Sequence, residues 1–277
     1  MVVLHGNQIT TFFDPESAEG TSRTGQLWKV LAHHSSVAIA EESEPVLVKK
    51  SGSVDSTSNE KGKRKVIVRI TCNPSEADGK FFSKTYHSSD TSLSMIFKNS
   101  GGSFLWRVTG AKVKNITETG NKYPTHGPVQ YVIELWAWLI LYTEPGSTTY
   151  TAVPDGFVNW ADCTVKINSV SQSLWWSWTF TITNDLDMQH DETGAVTAIT
   201  RGDRDLDVSL QKALEDNAST QFNAAQISFA TVSIEILQNS DSYLFGATAY
   251  KGVEVTADRT RLSGLELRGQ PATLTVS

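Results

Sequence analysis

Six histidines, His5, His33, His34, His87, His126 and His190, are the side chains best placed to move protons near neutral pH. They are scattered through loops and strand edges, and no carboxylate partner recurs beside them, so no general acid–base pair is defined. Asp203, Asp205 and Asp207 reproduce the first three ligand spacings of a calcium loop. Val208 then stands where such a loop needs glycine and Leu214 where it needs a bidentate glutamate, so the run reads as a strand with one acidic face. Cys72 and Cys163 sit in no C-x-x-C pair and near no histidine at metal-ligand spacing, which makes them buried, reduced thiols. No phosphate-cradling loop, nucleophile elbow or zinc spacing occurs. The sequence argues against an enzyme and supports neither a metal nor an organic cofactor.

Other local signals carry little. Arg201-Gly-Asp has the form of an adhesion tripeptide, and Asn115-Ile-Thr and Asn217-Ala-Ser have that of glycosylation acceptors, but both presuppose secretion. The N-terminus, Met1-Val-Val-Leu-His-Gly, lacks the basic start, apolar stretch and cleavage site of a secretory signal, so cytoplasmic synthesis is expected. Trp136, Trp138, Trp175, Trp176 and Trp178 can stack on sugar faces, although aromatic strand residues more commonly fill cores or subunit interfaces.

The elements that must position these residues are strands. With 277 residues, 39% hydrophobic and 19% charged, the chain can bury a sizeable core. Thirty acidic against 24 basic residues give a net charge of -6 without a basic tail, which argues against tight sequence-specific nucleic-acid binding. The longest apolar run, 129–142, contains Glu134 and falls short of the roughly 20 residues a membrane span needs. Segments 65–71, 92–97, 178–183 and 232–237 alternate or run as β-branched and aromatic residues of strand length. Helical periodicity is confined to 211–219, with a weaker helical turn at 74–78. Two polar stretches, 50–61 and 187–198, exceed ordinary hairpin loops and read as extended loops.

Two blocks recur about 140 residues apart. Lys61-Gly-Lys-Arg-Lys-Val-Ile-Val-Arg-Ile aligns with Arg201-Gly-Asp-Arg-Asp-Leu-Asp-Val-Ser-Leu, and 103–117 aligns with 242–256 through shared serine, leucine, threonine and lysine positions. The preceding strands, 92–97 and 231–236, follow in the same order. A duplicated domain is the reading that joins these matches: residues 1–144 as the first repeat and 145–277 as the second, with the linker near Glu144-Pro-Gly. At equivalent strand starts the first repeat carries Lys63 and Lys65 and the second Asp203 and Asp205, so the two copies present opposite charge.

Within the second repeat, Asp162-Cys-Thr-Val-Lys-Ile-Asn-Ser-Val, the strand 177–186 ending in an Asn-Asp step, the Arg201-Gly-Asp-Arg strand and the closing Leu244-Phe-Gly-Ala-Thr-Ala-Tyr resemble the tail tube proteins of long-tailed bacteriophages. The resemblance covers about 158–277 and, through the repeat, extends more faintly over 37–138. It implies a mainly β fold: two tandem β-sandwich domains of the tail-tube type, each with a short helix and each contributing strands to a barrel shared between subunits. It further implies rings that stack into a tube through which double-stranded DNA passes without specific binding. A duplicated subunit would build trimeric rings, with a tail terminator and baseplate or initiator proteins as partners and no membrane. The protein would be made in the host cytoplasm and reside in the virion tail.

On that reading Asp203, Asp205, Asp207, Glu235, Glu254, Lys63 and Lys65 are candidate lumen or ring-interface charges, since a conduit of like charge repels sliding phosphates. Ser51, Asp55, Glu60, Asp187, His190 and Glu192 mark candidate inter-ring loops. Competing readings are an aromatic-rich, two-domain carbohydrate- or receptor-binding protein, and a tail-completion or baseplate hub protein with the same fold. A capsid subunit would usually carry a basic arm, and a pore-forming toxin would need a long hairpin alternating apolar and small residues, for which 50–61 is too charged.

Overall fold

The fold is taken from a computed structural model that describes residues 9–20, 27–43, 46–48, 58–60, 62–87, 91–99, 101–122, 126–146, 148–152, 156–213, 231–239, 241–256 and 264–277. Its strands, in chain order, are β1 Ile9–Pro15, β2 Leu27–Ser43, β3 Val46–Val48, β4 Ser58–Glu60, β5 Arg64–Cys72, β6 Leu93–Asn99, β7 Phe104–Asn121, β8 Gln130–Ala137 and β9 Leu139–Leu141. They continue as β10 Thr149–Tyr150, β11 Cys163–Ile167, β12 Val170–Ser171, β13 Trp175–His190, β14 Val196–Ala213, β15 Val232–Gln238, β16 Asp241–Thr256, β17 Gly264–Gln270 and β18 Thr273–Val276. One α-helix, α1 Lys80–Tyr86, and one short 3-10 turn, Trp160–Asp162, complete the described elements, and the protein is mainly β. Among the described residues no helix is long and apolar enough to cross a membrane.

The chain divides into two compact units, and each draws on segments from both sides of residue 144. The first comprises the described residues of Met1–Asn115, Val132–Val153 and Asn184–Asp203; the second, those of Ile116–Tyr131, Pro154–Thr183 and Arg204–Ser277.

In the first unit β6 pairs β1 antiparallel from Ile9 opposite Asn99 to Pro15 opposite Leu93. The other edge of β1 pairs β2, and β2 pairs β5 from Ser35 opposite Cys72 to Ser43 opposite Arg64. The sequence continues β5 to β8, and β8 with its continuation β9 returns to β7, which pairs β6. This circuit of pairings has no free edge, the arrangement that satisfies every main-chain row of a small sheet. Alternation puts Phe13, Leu31, Val68, Met95 and Val108 in the core. The helix α1 adds Phe82 and Tyr86, whose rings meet Phe13 edge-on at 5.2 and 5.8 Å. Ser75 ties the turn before α1 to β2 by donating its N–H to Leu31 O at 2.9 Å and its hydroxyl to Val30 O at 3.0 Å.

In the second unit the order is β12, β11, β15, β16, β17, β14, β13, with β18 paired to β16. β11 pairs β15 from Cys163 opposite Gln238 to Ile167 opposite Ile234, and β15 pairs β16. β16 pairs β17, which pairs β14 from Val208 opposite Gly269 to Ala213 opposite Gly264. Its core centres on Phe180, with Trp178 stacked at 5.6 Å and Tyr243 and Phe245 at 5.1 and 5.2 Å.

The pairing diagrams of the two units repeat. β1–β6, β6–β7, β2–β5, β5–β8 and β7–β8 correspond to β11–β15, β15–β16, β13–β14, β14–β17 and β16–β17, in the same chain order. Ile9 opposite Asn99 matches Cys163 opposite Gln238 at the start of the equivalent ladders. The correspondence is partial: β7–β13 and β2–β10 have no counterpart, and the β1–β2 pairing is not repeated. β1 has β2 on its second edge, whereas among the described residues β11 has the two-residue β12 there, joined at Lys166–Ser171 and Ile167–Val170.

The described structure also differs from several sequence expectations. The polar stretch 187–198 is not an extended loop: Asp187–His190 ends β13, 191–195 turn, and Val196 begins β14, so the chain forms one long hairpin. Its alternation was hidden because few apolar residues, Met188, Val196 and Ile199, mark its inner face while its outer face and tip are polar. Ser58–Glu60 within the other stretch is strand β4, while 50–57 and 61 lie outside the described residues. The helix expected over 211–219 begins instead as strand, since Gln211, Lys212 and Ala213 pair with β17, and 214–219 lie outside the described residues. The weak turn at 74–78 leads directly into α1.

Candidate functional site: a hairpin arm, a basic cleft and an open strand edge

The arm formed by Asn184–Asp203 lies in the first unit, where Leu186, Val196 and Ile199 pack with Trp136, Trp138 and Met188. A charged clamp fixes it. Lys112, 7% exposed, places its ammonium 3.2 Å from Glu19 Oε2 and donates a short hydrogen bond to the Ile199 carbonyl. Glu19 Oε1 accepts the Ile199 N–H at 2.9 Å and the Trp138 indole N–H at 3.2 Å. The Trp138 ring leaves no room for a side chain at Gly110, where φ is 63° and a Cβ would lie 2.5 Å from the indole.

At the arm's tip Asp191 Oδ1 accepts the Thr193 hydroxyl at 2.7 Å, the Thr193 N–H at 2.8 Å and the Ala195 N–H at 3.0 Å. The Thr193 hydroxyl and these main-chain donors hold its carboxyl below the usual range. Gly194, at φ 77°, approaches the start of β5 so closely that a Cβ would sit 2.3 Å from Gly62 O. Its carbonyl accepts the Arg64 N–H at 3.1 Å, and His190 Nε2 donates to the Arg64 carbonyl at 2.8 Å.

Beside this contact is a cleft of about 250 Å³ lined by Lys63, Arg64, Lys65, Trp136 and His190, with Leu186, Met188, Glu42 and Asp187 completing it. Its floor is apolar and its rim cationic. The Lys65 ammonium rests 3.5 Å from the centre of the Trp136 ring and Lys114 5.0 Å from it. Such cation–π contacts contribute about 0.5–1 kcal/mol at exposed sites and leave the positive charge unneutralised. Lys63 is exposed and forms no ion pair among the described residues.

In the second unit the sheet ends at β12, where Val170 is 64% exposed, followed by Leu174 at 50%. β12 and the Gln172 N–H, which donates to the Val165 carbonyl at 2.8 Å, cover Val165–Ile167, and among the described residues no strand pairs the outer edge of β12.

The seven candidate charges separate into distinct environments. Asp203, Asp205 and Asp207 are all exposed, with Leu206, Val208 and Leu210 buried between and beyond them, which is the one-faced acidic strand. Asp203 and Asp205 have no ion pair among the described residues, while Asp207 is taken by Lys251. Glu235 is half-buried and accepts the Ser242 hydroxyl at 2.8 Å and faces Lys166 at 3.0 Å, contacts that hold its carboxyl below the ordinary value. Glu254 lies opposite Glu266 in the β16–β17 ladder. Lys63 and Lys65 meet at the cleft. Of the loop candidates, Asp187, His190 and Glu192 fall on the arm and its tip, Glu60 is in β4, and Ser51 and Asp55 lie outside the described residues.

Trp175 and Trp178 are 4% and 1% exposed and belong to the core, so they offer no platform. Cys163 is buried, which with the nearby Asp162 and Glu118 pushes its thiol up to about 12. Among the described residues no group of three or more histidine, cysteine, aspartate or glutamate side chains is placed to hold a metal ion. The Lys112 clamp escaped sequence reasoning, although a lysine inside the apolar run Val108–Val113 was the available signal. No protein-family model matches the sequence, and no curated protein matches it.

Proposed function

We propose that this chain is a structural, non-enzymatic subunit that associates into rings stacking as the tail tube of a long-tailed bacteriophage. Each subunit supplies two copies of one ancestral tube-type fold, so a ring holds three subunits. The observation that carries the reading is the recurring pairing order, which closes on itself around the first unit and, among the described residues, ends at the two-residue β12 in the second. A sheet that among the described residues ends at the two-residue β12, beside the exposed Val170 and Leu174, is a site for a neighbour's main chain, and a closed ring of subunits leaves no such edge exposed. The hairpin arm is the element suited to reach a neighbouring ring. The net charge of -6 suits a conduit that does not retain passing DNA. A terminator and an initiator or baseplate protein would cap such a tube, which would lie in the virion.

Sedimentation velocity over a wide concentration range tests this. Species at multiples of three subunits support it. A monomer that persists at every concentration and in every salt contradicts self-assembly and moves a two-domain binding protein to the front.

A further inference from the structure

The cleft at the base of the hairpin arm is lined by three cationic side chains against the two carboxylates of Glu42 and Asp187. Three consecutive cationic residues, Lys63, Arg64 and Lys65, line it over a floor of Trp136, Leu186 and Met188. Arg64 reaches Glu41 only at 3.9 Å, Lys65 is held by a ring face, and Lys63 has no ion pair among the described residues. In a chain of net charge -6 this is a local concentration of positive charge, with Lys61 also preceding it in sequence.

The complementary feature is on β14. Asp203 and Asp205 are exposed on alternate positions of a strand and have no counter-ion among the described residues. These two positions align with Lys63 and Lys65 in the internal repeat, at offsets of 140 in both cases. In identical repeats, contact between equivalent strand starts would bring like charges together and repel. Here one start is basic and the other acidic, so the same contact between two molecules becomes attractive.

We propose that the Lys63–Lys65 cleft is a docking site for the acidic strand start Asp203–Asp205 of a second copy of this chain. The inference deepens the ring-forming reading and rests on it: general repulsion between acidic molecules confines association to the register in which this basic patch meets that acidic stripe. Trp136 holds Lys65 upright at the rim and supplies an apolar wall against which the partner's strand excludes water.

The test is a charge swap on the full chain. Lys63→Glu with Lys65→Glu, and separately Asp203→Lys with Asp205→Lys, should each weaken self-association at least tenfold by sedimentation velocity. An equimolar mixture of the two variants should recover a mixed dimer that neither variant forms alone, while a ring of three stays open because its third contact joins like variants. All four side chains lie at the surface or at the rim of a cleft, so folding is checked simply by an unchanged thermal midpoint. A second readout is covalent: Lys63→Cys mixed with Asp205→Cys should give an oxidised dimer between the two variants, and the native thiols do not interfere because both are buried. Self-association of the wild type that neither reversal alters, with no cross-link, overturns the docking site while leaving ring assembly standing. Failure of the wild type itself to associate, again with no cross-link, overturns both.

Discussion

Replacing Lys112 by Met should release the hairpin arm from β7. Lys112 is 7% exposed, and its ammonium serves both Glu19 and the Ile199 carbonyl. Methionine keeps the volume and the apolar stem but leaves the Ile199 carbonyl without its donor and the Glu19 carboxylate without its cation. Removing one partner of a fully buried ion pair costs about 3–5 kcal/mol. The Glu19 side chain is 27% exposed and retains the Ile199 N–H and Trp138 N–H, so solvent and these donors reduce the loss to about 2–3 kcal/mol. With a urea dependence of roughly 2 kcal/mol per molar, the unfolding midpoint should fall by about 1–1.5 M. Glu19→Gln, which keeps an acceptor for Ile199 and Trp138, should cost about as much by leaving a buried cation. The double variant should lose less than the sum, with a coupling of about 1–2 kcal/mol. Hydrogen exchange should rise first in 196–203, the strand the clamp holds. Additive effects, or a single-variant change below about 0.5 kcal/mol, would refute the argument that this clamp positions the arm.

Three further outcomes follow from the geometry. Gly110→Ala should destabilise by about 2–4 kcal/mol in chemical denaturation, because its φ is 63° and a Cβ would meet the Trp138 indole at 2.5 Å; a neutral substitution would mean that Trp138 moves freely. Glu144 is pulled down by its hydrogen bonds to Lys98 and Tyr150, so its contribution is present above the ordinary glutamate pKa and lost as pH falls through the depressed value. Lys98 is raised because hydrogen bonds to Glu144 and Tyr150 outweigh the opposing effect of burial, and its contribution is lost only as pH rises through that raised value. Glu144 is 40% exposed, so the acid-limb difference between wild type and Lys98→Met should stay below about 1 kcal/mol, and a larger one would contradict the screening. Cys163, pushed up to about 12, and the buried Cys72 should react with a thiol reagent at pH 8 at least about a hundredfold more slowly in the native than in the unfolded protein.

The strands were legible where β-branched and aromatic residues run or alternate over strand length. Leu93–Asn99, Arg64–Cys72 and Val232–Gln238 stand where β-branched alternation put them, and the acidic stripe of Asp203, Asp205 and Asp207 is exposed as period-two spacing requires. Two kinds of feature were not legible. An arm whose outer residues are polar along its length, such as Asp187–Thr200, has the composition of a loop, and only the tertiary contact of Leu186, Val196 and Ile199 with the tryptophans fixes it as a hairpin. The segment after Leu210 has helix-forming residues, but β17 offers Gln211–Ala213 a ladder, and tertiary pairing overrides local propensity. The cleft joins residues far apart in sequence, Lys63 to Lys65 with Trp136 and His190, and no spacing rule links them. The repeat reading rests on scattered identities, and the pairing order of the strands is a feature that sequence alone does not supply.

Electron microscopy of the purified protein, with class averages of any rings formed, tests the central claim most directly. The account predicts rings of three subunits showing six similar lobes around a channel, alternating in detail because the two copies of the fold differ at β11 and β12. Rings of six subunits, or isolated particles of single-chain mass at the highest attainable concentration, would contradict it.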